Sequence, residues 1–255
     1  MYKQIYKRNS ILFKLVFVTL NNMYLGIDGF KNGWCCCIIN TDISIELFSN
    51  FQDLVKKFNS VKSIFIDIPI GLSSSNIERT IDSSIRKLLP KNKKSSVFTP
   101  PCRESLKMKD HFNANKVNKQ ILGKGISIQA WNIGYKINEV DNELTTNLSL
   151  SNIVHESHPE LCFCYINNYQ SLNFNKKTAE GFQERVNIIE KYFPNINELI
   201  ESNFEENKKE KIKRDDLLDA IILAISARDW KRNGSRIIRQ KENNDVMNIP
   251  FGIYY

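Results

Sequence analysis

The hydrophobic and polar positions of the amino-terminal part alternate in a way that predicts three strands, a helix and a fourth strand. The three strands, separated by turn-forming residues, are MYLGID (23–28), WCCCIIN (34–40) and ISIELFS (43–49). FQDLVKKF (51–58) has its apolar residues on one helical face, and SIFIDIPIG (63–71) is apolar until Asp67. The order β-β-β-α-β, which begins with an antiparallel meander, indicates an α/β protein.

Beyond residue 71 the periodicity is weaker, and helices predominate. A loop is predicted over 90–104, because prolines at three positions interrupt any regular element there. NIVHES (152–157) has the length and apolar content of a short strand. The segment RDDLLDAIILAISARDW begins at Arg214 and is apolar on nearly all sides, which is typical of a helix packed deep against a sheet. Further helices are predicted over 76–89, 126–142 and 178–192.

Acidic residues end several of these elements. Asp28 follows an apolar strand and lies between two glycines, and Asp67 follows a second apolar strand. If the two strands are parallel neighbours, their carboxyl ends open at one edge of the sheet, where α/β proteins bind ligands. Glu156 ends the strand NIVHE. Asp216 and Asp219 share a face in the first turns of the last helix, where the helix dipole stabilises anions.

Each of these five acids is also compatible with a structural role as a turn residue or a helix cap. Their coincidence favours a ligand site, because carboxylates held close together repel one another unless a cation neutralises them. Oxygen ligands alone suit Mg²⁺ or Mn²⁺. Two such ions, about 3.5–4 Å apart, would give an arrangement that hydrolyses phosphodiesters by in-line attack.

Seven segments between residues 26 and 227 match one family pattern: GIDGFKNGW, IDIPIGL, SSVFTPP, QAWNIGYKINEVD, ESHPELCF, KKTAEGFQER and DDLLDAIILAISA. They resemble the bacterial and archaeal proteins termed domain of unknown function 429 (DUF429), which are predicted nucleases of the RNase H-like superfamily. The resemblance implies an RNase H-like fold, with a five-stranded mixed sheet of order 3-2-1-4-5 flanked by helices. It also implies an insertion after the fourth strand, about 72–150, and metal ligands at Asp28, Asp67, Glu156, Asp216 and Asp219.

Three arginines flank the predicted loop, together with several hydroxyl side chains. Guanidinium groups and hydroxyls suit the oxygen atoms of a phosphate. Arg79, Arg86 and Arg103 are therefore candidate substrate-binding residues. A solvated basic loop is the alternative interpretation.

Three more polar residues are candidates for contact with a substrate. Gln129 and Lys136 lie on one side of the helix predicted over 126–142, where a lysine near the acids could stabilise charge that develops on a phosphate. Lys136 is accordingly a candidate catalytic residue, with a solvated polar face as the alternative. His158 follows Glu156 by two residues and is a candidate acid or substrate contact. A satisfied turn histidine is equally compatible with the sequence.

The amino-acid composition limits the classes of protein to which the chain could belong. The 255 residues carry a net charge of +8 and are 42% hydrophobic, which is enough for one ordinary core. Residues 1–22 hold four basic and no acidic side chains, so the remainder carries 8 − 4 = +4, a balance that tolerates nucleic acid. The six cysteines lack CxxC spacing, which favours reduced thiols in a cytoplasmic protein over a zinc site.

The amino-terminal 22 residues contain a short apolar run, ILFKLVFVTL. Lys14 interrupts this run, which is too short to cross a membrane, and no small-residue cleavage site follows it. We expect residues 1–22 to be a disordered or non-native extension, with a weak targeting or anchoring role as the alternative. We expect residues 23–255 to form a single domain with no membrane association and no obligate protein partner.

The interpretation that these observations favour is a cytoplasmic, metal-dependent nuclease or phosphodiesterase acting on DNA or RNA. A nucleotide-dependent phosphotransferase or ATPase of actin-like fold is the first alternative. Such enzymes hold ATP phosphates with a glycine-flanked aspartate hairpin similar to GIDGFKNG, but they use two domains, for which 255 residues is short. A non-catalytic nucleic-acid-binding module that retains the fold is the second alternative.

Overall fold

The computed structural model of the protein describes residues 22–58, 60–233 and 236–255. The extension predicted at residues 1–22 therefore lies outside the described part, apart from Asn22. The six cysteines are free thiols, as predicted, and five of them are buried. Among the helices of the described ranges, none is both long and apolar enough to cross a membrane.

Five strands form the central sheet: β1 (Tyr24–Phe30), β2 (Gly33–Ile39), β3 (Ile43–Phe48), β4 (Ser63–Ile66) and β5 (Val154–Glu156). Their spatial order is β3-β2-β1-β4-β5, which confirms the order that the family resemblance implied. β2 lies antiparallel to β1 and to β3, forming the predicted meander, whereas β4 lies parallel to β1 and to β5. The sheet is therefore mixed, and the carboxyl ends of β1, β4 and β5 share one edge.

Helices flank this sheet and fill the long connection between β4 and β5. In the described residues they are α1 (Phe51–Lys57), α2 (Ile81–Leu88), α3 (Arg103–Leu106), α4 (His111–Leu122), α5 (Ile128–Asn132), α6 (Gly134–Thr146), α7 (Pro159–Ile166), α8 (Ala179–Ile189), α9 (Ile196–Glu206) and α10 (Arg214–Asn233). Short 3₁₀ turns lie at Lys94–Ser96, Leu148–Asn152 and Lys208–Glu210, and a small ribbon is formed by β6 (Ile237–Ile238) and β7 (Ile253–Tyr254). The helices α2 to α6 all fall between β4 and β5, where the insertion was predicted.

Side chains of β1 alternate between two separate cores. Leu25 and Ile27 pack on one face with α1 and α6, whereas Gly26 and Asp28 point to the other face, which α10 covers. The side of α10 that faces away from the sheet is also apolar, because α7, α8 and α9 pack on it. The predicted deep packing of this last long helix is confirmed, and it sets the amino-terminal turns of α10 beside the end of β1.

Gly26 allows α10 to approach β1 at backbone distance. A Cβ atom at this position would lie 2.1 Å from the carbonyl oxygen of Ala220 and 2.1 Å from the amide nitrogen of Ala224. Gly26→Ala must therefore push α10 away from the sheet. We expect the exchange to lower the free energy of unfolding by about 2–3 kcal/mol, measured by urea unfolding.

Gly134→Ala is the matched control for this exchange. A Cβ atom at Gly134 would meet only the flexible end of the Leu106 side chain, at 3.2 Å. We expect a change in unfolding free energy within about 0.5 kcal/mol. Equal losses in the two variants would contradict the close contact between α10 and β1.

Candidate functional site

Asp28 and Asp67 lie side by side at the carboxyl edge of the sheet. The parallel register pairs Ile27 with Ile66, and the amide of Asp67 donates to the carbonyl oxygen of Ile27 at 3.0 Å. Asp28 and Asp67 are the next pair along these neighbouring strands, whose backbones are about 4.8 Å apart. Their side chains point to the same face, that of α10. The predicted placement of both strand ends at one edge is confirmed.

The first turns of α10 bring two more carboxylates to this edge. Asp219 is 3% exposed and precedes Ala220, which contacts Gly26. Asp216 lies one turn earlier and accepts a hydrogen bond from the backbone amide of Lys213 at 2.9 Å. This bond is the one that the third residue of a helix makes in a capping box. Asp216 therefore caps α10 and also faces the strand ends.

Burial raises the pKa values of all four aspartates, and neighbouring aspartates raise those of Asp28, Asp67 and Asp216 further. The pKa of Asp28 is raised well above its ordinary range, first by burial and then by the charges of Asp219, Asp67 and Asp216. Burial and the charge of Asp219 raise the pKa of Asp67 to about 7. Burial raises the pKa of Asp216 to about 6, and it raises that of Asp219 against the opposing charge of Lys176. These four residues form one electrostatic unit, which we call the aspartate cluster.

The raised pKa of Asp67 predicts a pH-dependent loss of stability in the metal-free protein. An unfolded aspartate titrates near pH 3.9, whereas the pKa of Asp67 in the folded protein is about 7. Between these values the folded protein holds a proton that the unfolded chain releases. The stabilising contribution is therefore fully present below about pH 4 and is lost as the pH rises through about 7. Asp67→Asn does not titrate, so its melting temperature should rise relative to wild type over this range.

Thermal melts in EDTA between about pH 4 and pH 8 measure this difference. Asp42→Asn, an exchange at an exposed turn aspartate, serves as the control. Its melting temperature should keep a constant offset from wild type across the range. A constant offset for Asp67→Asn as well would contradict the raised pKa.

Lys176 lies within the aspartate cluster. Its Nζ donates to Oδ2 of Asp219 at 2.6 Å and lies 4.0 Å from Oδ2 of Asp215. The charge of Asp219 raises the pKa of Lys176 against the effect of burial, so the side chain is an ammonium at neutral pH. Within the described ranges, no other lysine or arginine side chain forms an ion pair with the cluster. From the sequence, Lys176 and Lys177 at the start of KKTAEGFQER were both interpreted as contacts either to backbone phosphates or to solvent alone, and the ion pair with Asp219 was not predicted.

Lys136 approaches Asp28 from α6. Its Nζ donates to the carbonyl oxygen of Gly33 and lies 4.2 Å from the ring centroid of Trp34. Its aliphatic chain passes over Gly29, where a Cβ atom would come within 3.0 Å of the lysine Cδ. Burial lowers the pKa of Lys136 to about 8, while the charge of Asp28 opposes that change. The ammonium of Lys136 thus holds the turn between β1 and β2 near Asp28, and its predicted catalytic role stays a prediction.

Two clefts, of about 170 Å³ and about 440 Å³, are both lined by Asp67 and His158. The hydroxyl of Ser96 donates to the carbonyl oxygen of Lys93 at 2.7 Å, and its oxygen lies 3.2 Å from Nε2 of His158. Because Ser96 has no further hydrogen to donate, Nε2 carries the proton and Nδ1 is an acceptor. Nδ1 has no partner among the described residues, and burial lowers the pKa of His158 to about 4. His158 is therefore neutral at physiological pH, with one free acceptor atom.

Glu156 lines the cleft of about 170 Å³ together with Asp28 and Asp67, but it lies one residue out of register with Asp67. β5 pairs Glu156 with Ile66, and the amide of Ser157 donates to the carbonyl oxygen of Ile66 at 2.9 Å. Because successive side chains of a strand point to opposite faces, this offset turns Glu156 away from the face of α10. Its carboxylate instead accepts hydrogen bonds from Arg79 at 2.6 and 2.8 Å. Glu156 is thus engaged in a buried ion pair with Arg79, and its role as a metal ligand stays a prediction.

Arg79 is a buried structural cation, which contradicts its prediction as a substrate-binding residue. Its side chain is 0% exposed. Its guanidinium donates to the carboxylates of Glu156 and Asp82 and to the carbonyl oxygens of Ile70 and Gly71. The five N–H groups of the guanidinium are thus engaged, and none is left for a phosphate. This network fixes the turn that follows β4 against α2 and β5.

Three other predicted substrate-binding residues lie away from the aspartate cluster, whereas His158 lines both clefts there. Arg103 donates to Asp141 at 2.8 Å and to Asp245 at 2.5 Å, so it ties α3 to α6 and to the carboxyl-terminal segment. Arg86 lines a separate cleft of about 470 Å³, and Gln129 is exposed on α5. As far as the described residues show, none of these three lines either cleft at the cluster. The predicted contacts of Arg86, Arg103 and Gln129 with a substrate at the cluster are therefore not supported by their positions.

The carboxylate oxygens of the aspartate cluster are suitable ligands for a hard cation, although they are not arranged around one metal position. In the described ranges, no group of three His, Cys, Asp or Glu side chains is arranged to hold a metal ion as it stands. However, Asp28 and Asp67 neither accept a hydrogen bond from a described residue nor form an ion pair with one. One buried and one half-buried carboxylate without donors, both with raised pKa values, are the groups that a divalent cation would stabilise. Mg²⁺ or Mn²⁺ remains a prediction for this site.

Comparison with known proteins identifies a family. The family model described as "Protein of unknown function (DUF429)" matches residues 26–243, which include the whole aspartate cluster and Lys176. No curated protein and no solved structure matches the chain. The match covers most of the sequence and confirms the resemblance noted above. The chain therefore belongs to the DUF429 family.

Proposed function

We propose that this protein is a metal-dependent phosphodiesterase that acts on nucleic acid, that is, a nuclease. The observation that carries the proposal is the register of β1 and β4, which sets Asp28 and Asp67 side by side and facing Asp216 and Asp219 of α10. Carboxylates at the ligand-binding edge of an α/β sheet are suited to a cation and to a phosphate that the cation binds.

Asp28 and Asp67 are the residues that would hold Mg²⁺ or Mn²⁺, with Asp216 as a further oxygen donor from α10. Their carboxylates match the ligand preference of these hard cations. When bound, the ion supplies Lewis-acid activation of a phosphate oxygen and of an attacking water. Neutralisation of the cluster would also remove the repulsion that raises the pKa values of Asp28 and Asp67.

Side chains around the cluster support the same proposal. Lys136 places a cation beside Asp28, where it would attract the negative charge of a phosphate. His158 lines the two clefts at the cluster, and its buried Nδ1 is an acceptor without a partner among the described residues. The amino-terminal end of α10 adds the positive end of a helix dipole.

Nucleic acid is the substrate class that charge and fold favour. The net charge of +8, of which residues 23–255 carry +4, is compatible with a polyanionic partner. The mixed sheet of order β3-β2-β1-β4-β5 agrees with the RNase H-like fold that the family resemblance implies. A cytoplasmic location and the lack of an obligate protein partner stay predictions.

A substrate panel tests the proposed function. Single-stranded and duplex DNA, single-stranded RNA, an RNA–DNA hybrid and ATP are each incubated with the protein in Mg²⁺, in Mn²⁺ and in excess EDTA. Cleavage of at least one nucleic acid that requires the metal and stops in EDTA is the expected result. Hydrolysis of ATP without cleavage of nucleic acid would favour the phosphotransferase alternative. Metal-dependent binding of nucleic acid without turnover would favour the binding module.

A further inference from the structure

The ammonium of Lys176 neutralises one half of the aspartate cluster and leaves the other half without an ion-pair partner among the described residues. On the side of α10, its ammonium lies 2.6 Å from Asp219 and 4.0 Å from Asp215. On the side of the strands, Asp28 and Asp67 receive neither a hydrogen bond nor an ion pair from the described residues. Asp28 is only 8% exposed and lines the cleft of about 170 Å³, so it is a buried, unpartnered carboxylate that faces a cavity.

The loop that carries Lys176 is held in place by the start of α8. The hydroxyl of Thr178 accepts a hydrogen bond from the amide of Gly181 at 3.1 Å, which caps that helix. A Cβ atom at Gly181 would lie 1.9 Å from the carbonyl oxygen of Asn175, so only glycine lets the loop fold this closely onto α8. The backbone that carries Lys176 is therefore fixed, and it holds the ammonium next to Asp219.

We propose that Lys176 takes the place of a second divalent cation, so that the aspartate cluster binds one Mg²⁺ or Mn²⁺ ion, at Asp28 and Asp67. This inference rests on the proposed function and replaces the two-ion arrangement expected from the sequence by one ion and one ammonium. A second dication on the α10 side would lie next to an ammonium that repels it. It would also compete with that ammonium for the oxygen atoms of Asp219.

The position of Lys176 also gives its ammonium access to a substrate. Together with Asp67 and Asp219, it lines the cleft of about 440 Å³. An ammonium has three N–H donors, and in this structure one of them is directed to Asp219. The remaining donors are suited to a phosphate oxygen, on which a second ion would otherwise stabilise negative charge.

Titration calorimetry with Mn²⁺ alone, on the full chain, tests this inference without an activity measurement. Wild type is expected to bind one Mn²⁺. Lys176→Met removes the ammonium and is expected to bind two. Lys177→Met, at the adjacent exposed lysine, is the matched control and is expected to bind one ion with wild-type affinity. A thermal melt confirms that each variant is folded, and Lys176→Gln replaces Lys176→Met if the methionine variant does not fold.

The outcomes separate this inference from the function on which it rests. Two Mn²⁺ ions of similar affinity in wild type would overturn the role of Lys176 but leave a metal-dependent phosphodiesterase in place. A Lys176→Met variant that binds Mn²⁺ with the stoichiometry and affinity of wild type would also overturn the role of Lys176. Failure of wild type to bind Mn²⁺ at millimolar concentration would instead refute the proposed metal site itself.

Discussion

Asp28→Asn is expected to reduce metal-dependent hydrolysis at least about 100-fold while the protein stays folded. The exchange keeps the shape of the side chain and removes the charge that a hard cation requires. It also removes one of the repelling carboxylates of the aspartate cluster, so the melting temperature of the metal-free protein should stay level or rise. Rates and melting temperatures, measured on the same preparations with and without Mg²⁺, check both expectations.

A purely structural Asp28 predicts a different result. As a turn acceptor it would lose at most about 1 kcal/mol of stability on exchange, and the rate would barely change. Asp42→Asn, at an exposed aspartate in the turn between β2 and β3, is the control and should retain the wild-type rate. A D28N protein that cleaves at the wild-type rate would rule out the assignment of Asp28 as a metal ligand.

Arg79→Met is expected to lower the free energy of unfolding by about 3–5 kcal/mol. The exchange leaves the carboxylates of Glu156 and Asp82, which are 5% and 3% exposed, without the cation that both contact. Buried charges that lose their partner cannot recover their hydration, which makes the loss large. Urea unfolding measures it.

Two further variants test the cause of that loss. Arg86→Met removes a half-buried arginine that donates to the carbonyl oxygen of Val97 and to the hydroxyl of Thr99, and it should cost about 1 kcal/mol or less. Adding Glu156→Gln to Arg79→Met should restore part of the lost stability, because it removes one of the stranded charges. Losses of equal size for Arg79→Met and Arg86→Met would contradict the buried network.

The strands and the pairing of Asp28 with Asp67 were predictable because local pattern determines them. The apolar runs of β1 and β4 are each followed by a carboxylate, and both are long enough to specify a buried strand. The β-β-β-α-β order then leaves few arrangements in which β4 does not lie beside β1. Residues that follow adjacent parallel strands must meet at one edge of the sheet.

The position of Glu156 was not predictable in the same way, because it depends on pairing register. NIVHE ends in an acid just as the other strands do, yet β5 pairs Glu156 with Ile66 rather than with Asp67. No local signal distinguishes these two registers, and a shift of one residue reverses the face of the side chain. The partner of Glu156, Arg79, lies 77 residues away in the sequence.

Helix α4 shows a different limit of sequence reasoning. Its ends carry ordinary signals: the side chain of Asp110 accepts a hydrogen bond from the amide of Asn113, and Gly123 ends the helix in the left-handed region at φ 68°. However, this helix buries only Ala114 and Asn118, so it lacks the apolar periodicity by which helices are recognised. It was therefore missed, whereas the more apolar α8 and α10 were predicted.

The ion pair between Lys176 and Asp219 was not predictable, because it depends on tertiary structure alone. A lysine at the start of a helix is usually solvated, and nothing in KKTAEGFQER distinguishes Lys176 from Lys177. The difference arises from the fold of the loop onto α8, which turns the first lysine to Asp219 and leaves the second exposed. Ion pairs between residues that are far apart in the sequence leave no periodic pattern from which they could be predicted.

The most direct test of the account is an anomalous diffraction measurement on crystals soaked in Mn²⁺. The account predicts an anomalous peak between the strand ends, within about 2.0–2.3 Å of carboxylate oxygens of both Asp28 and Asp67. Crystals of the Asp28→Asn variant, soaked in the same way, should lack that peak. A peak bound by other residues, or no peak in wild-type crystals at saturating Mn²⁺, would contradict the claim that the aspartate cluster is a metal site.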